Sequence, residues 1–501
     1  MNYDTIIDCY TDEPSGLGVP PYLSTHSRYI AGWYEKNKKK YFYLTIDDLR
    51  FSSGEKNLSN HNINKRINNL TNNKLAVKDI LLNSNKILIV MGCFVKYNYI
   101  SAEPPSFFEL NNLLSEFKSE KILFYILGGI NLDKNTIENT IPKNLFKKII
   151  YGHGYNYLEN GNIKDLKPNY NILSKISFHC SKLTKQISKP KIVEIETSSG
   201  CNRTPGCIFC IESIRNIQVS YREVDDILNE IISLYKNGFN YFRLGKQPNF
   251  YNYMDSNPFK IEELLYNIRS KCPNIKMLHI DNVNPQSVLS KNGKLITKLI
   301  IKYCTSGNIA PFGVESFDPD VRKACNLNGT NAQILNAIEI INNLGGSKIG
   351  IDGFPIFLPG INLIFGLPGQ SKKTFDYNMK YLDQIYKSGL MVRRLFIRKL
   401  TSPYGEAFDN ISISNSEEIA FWKKEIARNF EIPMLKRVFP INQILKNLRV
   451  EIITNNSPYL RQLATCPIRV IIENKKLEHN NFYNVKVKGY YDNRTLKGII
   501  I

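Results

Sequence analysis

Short apolar segments alternate with amphipathic ones between residues 190 and 410, and this alternation restricts the fold more than any other feature. Six segments read as buried strands: KIVEIET (191–197), NYFRLG (240–245), KMLHID (276–281), IAPFGVES (309–316), INLIFGLPG (361–369) and RRLFIRKL (393–400). Segments with helical periodicity lie between them, such as VDDILNEIISLYKNG (224–238) and AQILNAIEIINNLGG (332–346). Six parallel strands alternating with helices predict an open relative of the (β/α) barrel, with its chemistry at the carboxyl ends of the strands.

The segments on either side of this region predict two further domains. Residues 1–185 contain an apolar run, a helix-like segment and a second apolar run: KILIVMGC (86–93), FFELNNLLSEF (107–117) and KILFYILGG (121–129). This order is typical of an open Rossmann-like sheet that binds a ligand at its strand ends. Residues 411–501 begin with a helical section and end in short alternating strands, which predict a small β-barrel-like region. We therefore predict an α/β protein of three domains (1–185, 186–410 and 411–501), the central one a partial (β/α)6 barrel.

The chain is strongly basic, because Lys plus Arg exceed Asp plus Glu by 66 − 45 = 21. Such an excess suits contact with RNA or with an acidic protein. A coding bias that places lysine on every solvated surface is an equal alternative, since the lysines are scattered. The N-terminus lacks a signal pattern, and the most apolar long stretch (349–369) contains Asp352, Asn362 and three prolines. We therefore predict a cytoplasmic protein with no membrane partner.

Three of the ten cysteines lie in the segment CNRTPGCIFC (201–210), as Cys201, Cys207 and Cys210. In a cytoplasmic protein such a group more often binds metal or performs chemistry than forms disulfides. Three thiolates can bind three irons of a [4Fe–4S] cluster and leave the fourth iron open. A zinc site completed by a distant His or Cys is the alternative that the spacing leaves open.

The position of this cysteine group, after the first of six strands and with Phe209 before the last cysteine, resembles the radical S-adenosylmethionine (SAM) superfamily. Four later segments resemble that family's strand motifs in the same order: FRLGKQP (242–248), HIDNVNP (279–285), GVESFDPDVRKACNLNGT (313–330) and INLIFGLPGQSKKTF (361–375). The cysteine spacing departs from the family's commonest pattern, since it is five-then-two in place of three-then-two. Some cobalamin-linked and methanogen members have this longer loop.

The resemblance implies a [4Fe–4S] cluster on Cys201, Cys207 and Cys210, with SAM on the open iron. An electron from the reduced cluster would cleave SAM and give a radical that removes hydrogen from an unactivated carbon. The resemblance further implies that cofactor is contacted by Phe209, Gly245, Lys246, Gln247, Asp281, Asn282, Glu315 and Arg398. A turn role for Asp281 and Asn282, and a structural ion pair for Arg398, are equal alternatives.

The N-terminal domain resembles the cobalamin-binding domain that precedes many radical SAM cores. The D-x-H-x-x-G motif that supplies a histidine to cobalt is absent; His26 and His153 are interpreted as loop or core residues. Tyr97 and Tyr99 could flank a corrin, with core packing as the default. The resemblance extends to the methanogen enzymes that methylate the α-carbon of a glutamine in methyl-coenzyme M reductase. It implies that enzyme's alpha subunit as the protein substrate, together with an electron donor.

RNA modification is the second hypothesis, because the C-terminal region loosely resembles the RNA-binding domain of methylthiotransferases. Those enzymes carry a second cluster on three N-terminal cysteines, whereas Cys9, Cys93 and Cys180 are widely separated here. The separation disfavours methylthiolation and leaves RNA methylation open. A non-catalytic iron–sulfur module is disfavoured, because Glu315 and the strand motifs that resemble the family's SAM contacts would have no role without SAM.

Overall fold

The computed structural model describes residues 3–10, 12–13, 16–17, 21–54, 67, 69–91, 102–117, 123–127, 146–164, 166–180, 182–188, 190–210, 212–213, 218–400, 416–454, 457–465, 467–473 and 475–501. The chain divides into two compact units. The first unit comprises Met1–Glu196, Arg222–Phe242 and Pro403–Gly405; the second comprises Thr197–Tyr221, Arg243–Ser402 and Glu406–Ile501. The predicted domain boundaries at 185 and 410 stay predictions, and residue 410 lies outside the described residues.

The first part of the chain alternates strands and helices. Its described strands are β1 (Asp4–Asp8), β2 (Asp12–Glu13), β3 (Gly16–Leu17), β4 (Tyr22–Leu23), β5 (Tyr41–Thr45), β6 (Lys86–Val90), β7 (Leu123–Leu127), β8 (Lys148–Ile149) and β9 (Ile192–Glu196). Its described helices are α1 (Thr25–Lys36), α2 (Ile46–Ser52), α3 (Val77–Leu82), α4 (Phe107–Ser115), α5 (Gly154–Asn160), α6 (Tyr170–Ile176), α7 (Leu183–Gln186) and α8 (Val224–Lys236).

A five-stranded parallel sheet of order β5-β1-β6-β7-β8 organises the first unit. Apolar side chains of its strands and of the helices beside it form one core, including Ile7, Leu44, Ile87 and Leu110. The strand order reverses at β1, because β5 lies on one side of β1 and β6 on the other. In open α/β sheets, ligands bind at the carboxyl edge beside such a reversal.

The second part of the chain contains the remaining elements. Its described strands are β10 (Ser198–Ser199), β11 (Ser220–Tyr221), β12 (Tyr241–Gly245), β13 (Met277–Ile280), β14 (Asn308–Glu315), β15 (Phe357–Phe365), β16 (Arg394–Lys399), β17 (Ile444–Thr454), β18 (Ser457–Arg461), β19 (Arg469–Ile471), β20 (Phe482–Asp492) and β21 (Thr495–Ile500). Its described helices are α9 (Pro258–Lys271), α10 (Pro285–Leu289), α11 (Gly293–Tyr303), α12 (Pro319–Ala324), α13 (Asn331–Ile341), α14 (Lys373–Lys387), α15 (Ser416–Ile426) and α16 (Ile432–Val438).

Each of the six segments predicted as core strands overlaps one strand: β9, β12, β13, β14, β15 and β16. β14 begins one residue before its predicted segment and β15 four residues before. The sheet orders are β13-β12-β9-β4 and β14-β15-β16, and a single parallel bridge joins Val283 to Phe312. β14, β15 and β16 pair in parallel. Helices return the chain between strands, and α13 begins with a capping box in which Thr330 and Gln333 satisfy each other's backbone N–H groups. The mixed α/β class predicted from the sequence is confirmed.

The C-terminal strands form a closed barrel of order β17-β18-β19-β21-β20, as the alternating pattern predicted. β19 and β21 pair in parallel and the other neighbours antiparallel. The barrel contacts the segments that precede β14 and β15: Gln462 donates to the carbonyl of Ser306 at 3.3 Å, and the Lys446 N–H donates to the carbonyl of Asp352 at 2.8 Å. The barrel therefore lies at the amino ends of these strands. Within the described part of the chain, no helix is long and apolar enough to cross a bilayer.

Candidate functional site

The three clustered cysteines lie on one loop between β10 and β11. Gly200 has φ +80°, a conformation that glycine adopts without strain, so the chain turns sharply out of β10. The Cys210 N–H donates to the Cys207 carbonyl at 3.1 Å, which closes the second half of the loop into a turn. All three thiols are half-buried and free. The loop therefore presents three sulfur donors from a single short segment.

Burial raises the pKa of two of these thiols, Cys207 and Cys210. Desolvation raises the pKa of Cys207, opposed by the Arg203 guanidinium, and raises the pKa of Cys210 to about 12. Metal binding at this loop therefore releases protons. No three or more His, Cys, Asp or Glu among the described residues are arranged to hold a single metal ion. In an iron–sulfur cluster each thiolate binds a different iron, so its ligands need not converge on one point.

The carboxyl end of β12 contains Gly245, Lys246 and Gln247. The Thr197 N–H donates to the Gly245 carbonyl at 3.3 Å, and Lys246 has φ +60°, so the chain bends directly after the strand. Gln247 is fully buried; its Nε2 donates to the carbonyl of Leu244 at 3.3 Å. Its Oε1 makes no hydrogen bond to any described residue. A buried acceptor in this state is open to a ligand donor.

Asp281 and Asn282 follow β13 directly, beside that turn. Asn282 Nδ2 donates to the Gln247 carbonyl at 3.3 Å, which joins the two strand ends. The Asp281 carboxylate forms an ion pair with Arg243, and both side chains are buried. Its Oδ2 is buried without a hydrogen-bond partner in the described chain. Asp281 thus has a structural partner that the sequence did not indicate, and one free acceptor atom.

Glu315 ends β14 at a bulge, where the pairing with β15 skips a residue after Gly313. Its φ is +61°, unusual for a residue with a side chain and typical of functional sites. A Cβ on Gly313 would lie 2.9 Å from Glu315 Oε1, so the carboxylate folds back over this glycine. Burial raises the pKa of Glu315 to about 8, although the nearby Arg398 and Arg322 guanidinium groups lower it.

The remaining predicted residues have different surroundings. Phe209 packs against the apolar group of Val321, Cys325 and Leu367. Arg398 is exposed at the end of β16, and its guanidinium carbon lies 4.4 Å from the centre of the Phe396 ring. Glu315 therefore lies close enough to both Cys207 and Arg398 for their charges to interact. Gln247 lies beside Asn282.

Three arginines at this site were not predicted from the sequence. Arg243 neutralises Asp281, and Arg203 donates to the Cys207 sulfur at 2.8 Å. Arg322 donates to the carbonyls of Val314 at 3.1 Å and Ser316 at 2.7 Å, on both sides of Glu315. All three arginines lie inside quoted motifs, yet a basic residue in a motif carries no signal of its partner.

The comparisons with known proteins agree with this geometry. The family model described as "Radical SAM superfamily" matches residues 195–382, which include the cysteine loop and Glu315. The chain carries a radical SAM domain. It is 34% identical to an uncharacterised protein of Methanocaldococcus jannaschii over 99% of this chain and 93% of that protein. It is 32% identical to an uncharacterised Archaeoglobus fulgidus protein over 97% and 88% of the two chains. The chain belongs to one family with these archaeal proteins.

Two solved structures share the fold of this radical SAM protein. The radical SAM methyltransferase TsrM from Kitasatospora setae, with cobalamin and a [4Fe–4S] cluster bound, matches with a TM-score of 0.52 at 10% identity, over 79% of this chain and 72% of TsrM. The cobalamin-dependent radical SAM enzyme OxsB, with aqua-cobalamin and SAM bound, matches with a TM-score of 0.51 at 14% identity, over 84% of this chain and 56% of OxsB. At these identities the likeness concerns the fold alone.

The site fits the two cofactors that a radical SAM domain uses, a [4Fe–4S] cluster and SAM. Three thiols on one loop match a cluster with one iron left open. The unpartnered Gln247 Oε1 and Asp281 Oδ2, and the Glu315 carboxyl group, are hydrogen-bond acceptors of the kind that the amine and hydroxyl groups of SAM need, and their contacts with SAM stay predictions. Gly245, Lys246 and Asn282 shape the turns that present these acceptors. Their contacts with SAM, and those of Phe209 and Arg398, stay predictions.

Proposed function

We propose that this protein is a cobalamin-dependent radical SAM C-methyltransferase that acts on an unactivated carbon. The observation that carries the proposal is the pairing, in one chain, of the cysteine-loop site with a separate parallel sheet whose order reverses at β1. The fold likeness to TsrM and OxsB, both described with cobalamin bound, supports it.

Within this proposal, the chain's own residues bind and orient the cofactors. Cys201, Cys207 and Cys210 hold three irons, while Gln247 and Glu315 accept hydrogen bonds from SAM. When bound, these groups supply a carbon-centred radical and a methyl group, the chemistry that side chains cannot provide. Gln247 is fully buried and Glu315 half-buried, which limits competition from water for these acceptors.

The cobalamin site is assigned to the carboxyl edge of the parallel sheet, beside the reversal between β1 and β6. Asp8, the last residue of β1, is buried there and accepts hydrogen bonds from the Tyr43 hydroxyl at 2.6 Å and the Tyr10 N–H at 2.9 Å. His26 and His153 are buried with ring centres 5.6 Å apart, which suits their interpretation as core residues. Tyr97 and Tyr99 lie outside the described residues. The proposal therefore includes cobalamin without a motif histidine on cobalt.

For the substrate, we propose a glutamine α-carbon in the alpha subunit of methyl-coenzyme M reductase, with a separate protein as electron donor. This choice follows from the sequence resemblance, and the predicted cytoplasmic location stays part of it. An unactivated carbon needs a radical route, because amino-acid side chains are in general too weakly basic to remove its proton.

The test is anaerobic production of the full chain with cobalamin supplied. We expect about four irons and one cobalt per chain, SAM cleavage after reduction, and methylation of a peptide that carries the target glutamine. Replacing Cys201, Cys207 and Cys210 by Ala should abolish all iron-dependent signals, whereas Cys304→Ala, outside the loop, should leave them unchanged. About eight irons without cobalt would instead indicate a methylthiotransferase.

RNA modification is a second candidate, and one surface of the C-terminal barrel favours it. The Arg469 guanidinium lies 6.0 Å from the Tyr459 ring centre, and Lys497 Nζ lies 5.8 Å from that of Tyr491. Aromatic rings beside cations on a small barrel are typical of surfaces that stack nucleotide bases. The barrel lies at the amino ends of β14 and β15, however, away from the cysteine loop, so RNA bound there would have to extend around the core.

Binding of fluorescent single-stranded RNA tests this candidate. Tyr491→Ala should weaken RNA binding several-fold, because it removes an aromatic ring on which a base can stack. Tyr266→Ala is the control, since Tyr266 on α9 is 55% exposed and Tyr491 56%. Equal affinity of both variants and the unaltered protein would remove the barrel surface from consideration.

A further inference from the structure

Arg203 lies in the five-residue segment between the first two clustered cysteines, the part of the loop that is longer than the family's commonest spacing. Its guanidinium makes two hydrogen bonds that point in different directions. Nη1 donates to Cys207 Sγ at 2.8 Å, and Nη2 donates to the Asn326 carbonyl at 2.7 Å. A planar group with several N–H donors can satisfy both partners without moving.

Asn326, two residues after the end of α12, makes the return hydrogen bonds to the cysteine loop. Its Nδ2 donates to the carbonyls of Pro205 at 2.7 Å and Gly206 at 3.0 Å, within the same loop. The Ile208 N–H donates to the Cys325 carbonyl at 3.3 Å. The cysteine loop is therefore tied to the end of α12 by hydrogen bonds in both directions.

The same helix is also tied to Glu315, because Arg322 of α12 donates to the carbonyls on both sides of that residue. Arg322 is 9% exposed, so these bonds are shielded from water. Hydrogen bonds of Arg203 and Arg322 thus connect the Cys207 sulfur, by way of the chain from Arg322 to Asn326, to the two carbonyls that flank Glu315.

We propose that Arg203 is a positioning residue that holds the Cys207 thiolate towards the cluster and raises the cluster's reduction potential. The inference rests on the cluster assignment of the proposed function. Reduction adds one electron, and the added negative charge is shared with the sulfurs. A cationic N–H donor to sulfur stabilises the reduced form more than the oxidised one. Outer hydrogen bonds of this kind also orient the ligand and slow its loss.

The experiment compares four anaerobically prepared proteins: the unaltered chain, Arg203→Met, Arg203→Lys and Lys323→Met. Lys323 is the control, because it is exposed on α12 and its loss removes the same charge without touching sulfur. We measure iron and sulfide content, the midpoint potential by redox titration followed by electron paramagnetic resonance, and the rate of iron loss to a chelator.

We expect Arg203→Met to shift the potential to more negative values and to lose iron to the chelator several-fold faster. Arg203→Lys keeps the charge without the planar fork, so its shift should be smaller. Lys323→Met should match the unaltered chain. Arg203→Met could retain no cluster while Lys323→Met retains one. That result supports the holding role, and the midpoint potential is then compared between Arg203→Lys and the unaltered chain.

Two further outcomes separate the inference from the proposed function. An unaltered chain that binds no cluster overturns both. A full cluster whose potential and rate of iron loss are the same in the unaltered chain and in both Arg203 variants overturns the role of Arg203 alone.

Discussion

The ion pair between Arg243 and Asp281 gives the sharpest test of how this site is built. Asp281 was predicted to contact cofactor, yet its carboxylate also neutralises an arginine within the fold. The side chains are 6% and 4% exposed, so neither charge is solvated in the folded chain. Asp281→Asn keeps the shape of the side chain and removes the negative charge that faces the buried Arg243 guanidinium.

The expected loss is large, because breaking one side of a buried ion pair costs about 3–5 kcal/mol. Replacing both partners by apolar residues of similar size removes the buried charges together, and such replacements are often neutral or stabilising. The double variant Arg243→Met with Asp281→Leu should therefore recover most of the stability that Asp281→Asn loses. It should still bind SAM more weakly than the unaltered chain, because the Asp281 Oδ2 acceptor is gone.

Urea unfolding at pH 7.5 measures the effect in the second unit. In a Trp33→Phe background, Trp422 is the remaining tryptophan, since the chain has two. Trp422 is buried with its ring centre 4.9 Å from that of Phe365, so its fluorescence reports on unfolding near β15. SAM binding is measured separately by equilibrium dialysis. A loss below about 1 kcal/mol in Asp281→Asn, the range of a surface ion pair, would refute the structural role of the pair.

Three more predictions concern the second unit. His279 is fully buried between the barrel and the core; burial lowers its pKa to about 3, and it accepts the Thr465 N–H at 3.2 Å. The unfolded histidine takes up a proton near pH 6.5, so the contribution of His279 to the free energy of unfolding is complete above that pH. It falls towards pH 3 by up to about 1.4 kcal/mol per pH unit. His279→Leu should reduce this loss of stability at low pH in urea unfolding, and an unchanged loss would exclude His279 as its source. Gly353→Ala should lower the free energy of unfolding by about 2 kcal/mol or more, the cost of a strained backbone. The reason is that Gly353 has φ +86° and a Cβ there would overlap the Ile444 carbonyl. An unchanged thermal midpoint would contradict this. Glu315→Gln should weaken SAM binding about tenfold or more at a pH above 8, where the Glu315 carboxyl group of raised pKa is ionised, because one charged hydrogen bond is lost. The iron content should be unchanged, and equal SAM affinity at that pH would remove Glu315 from the site.

Much of the fold follows from local patterns. The six core strands and the C-terminal barrel were predicted because apolar periodicity acts over a few residues and needs no knowledge of distant partners. The cysteine loop was found for the same reason, since its three sulfurs lie within ten positions. Glu315 was identified only through a motif resemblance, and its positive φ and bulge became visible in the structure.

The residues that support the site could not be predicted in this way. Arg203 contacts Asn326 across 123 positions, and Asn326 returns to Pro205 across 121. The barrel meets the core through a bond from Thr465 to His279, 186 positions apart. Pairings of this length depend on how the whole chain packs, and a single sequence contains no record of them.

The sequence by itself therefore determined the cysteine donors, the α/β alternation and the presence of a terminal barrel, because each is written in neighbouring residues. Only the tertiary structure decided that Asp281 is paired with Arg243, that Arg203 donates to the Cys207 sulfur, and that the barrel lies at the amino ends of β14 and β15. The physical reason is that hydrogen bonds and ion pairs act over a few ångströms in space, whatever the separation of their partners along the chain.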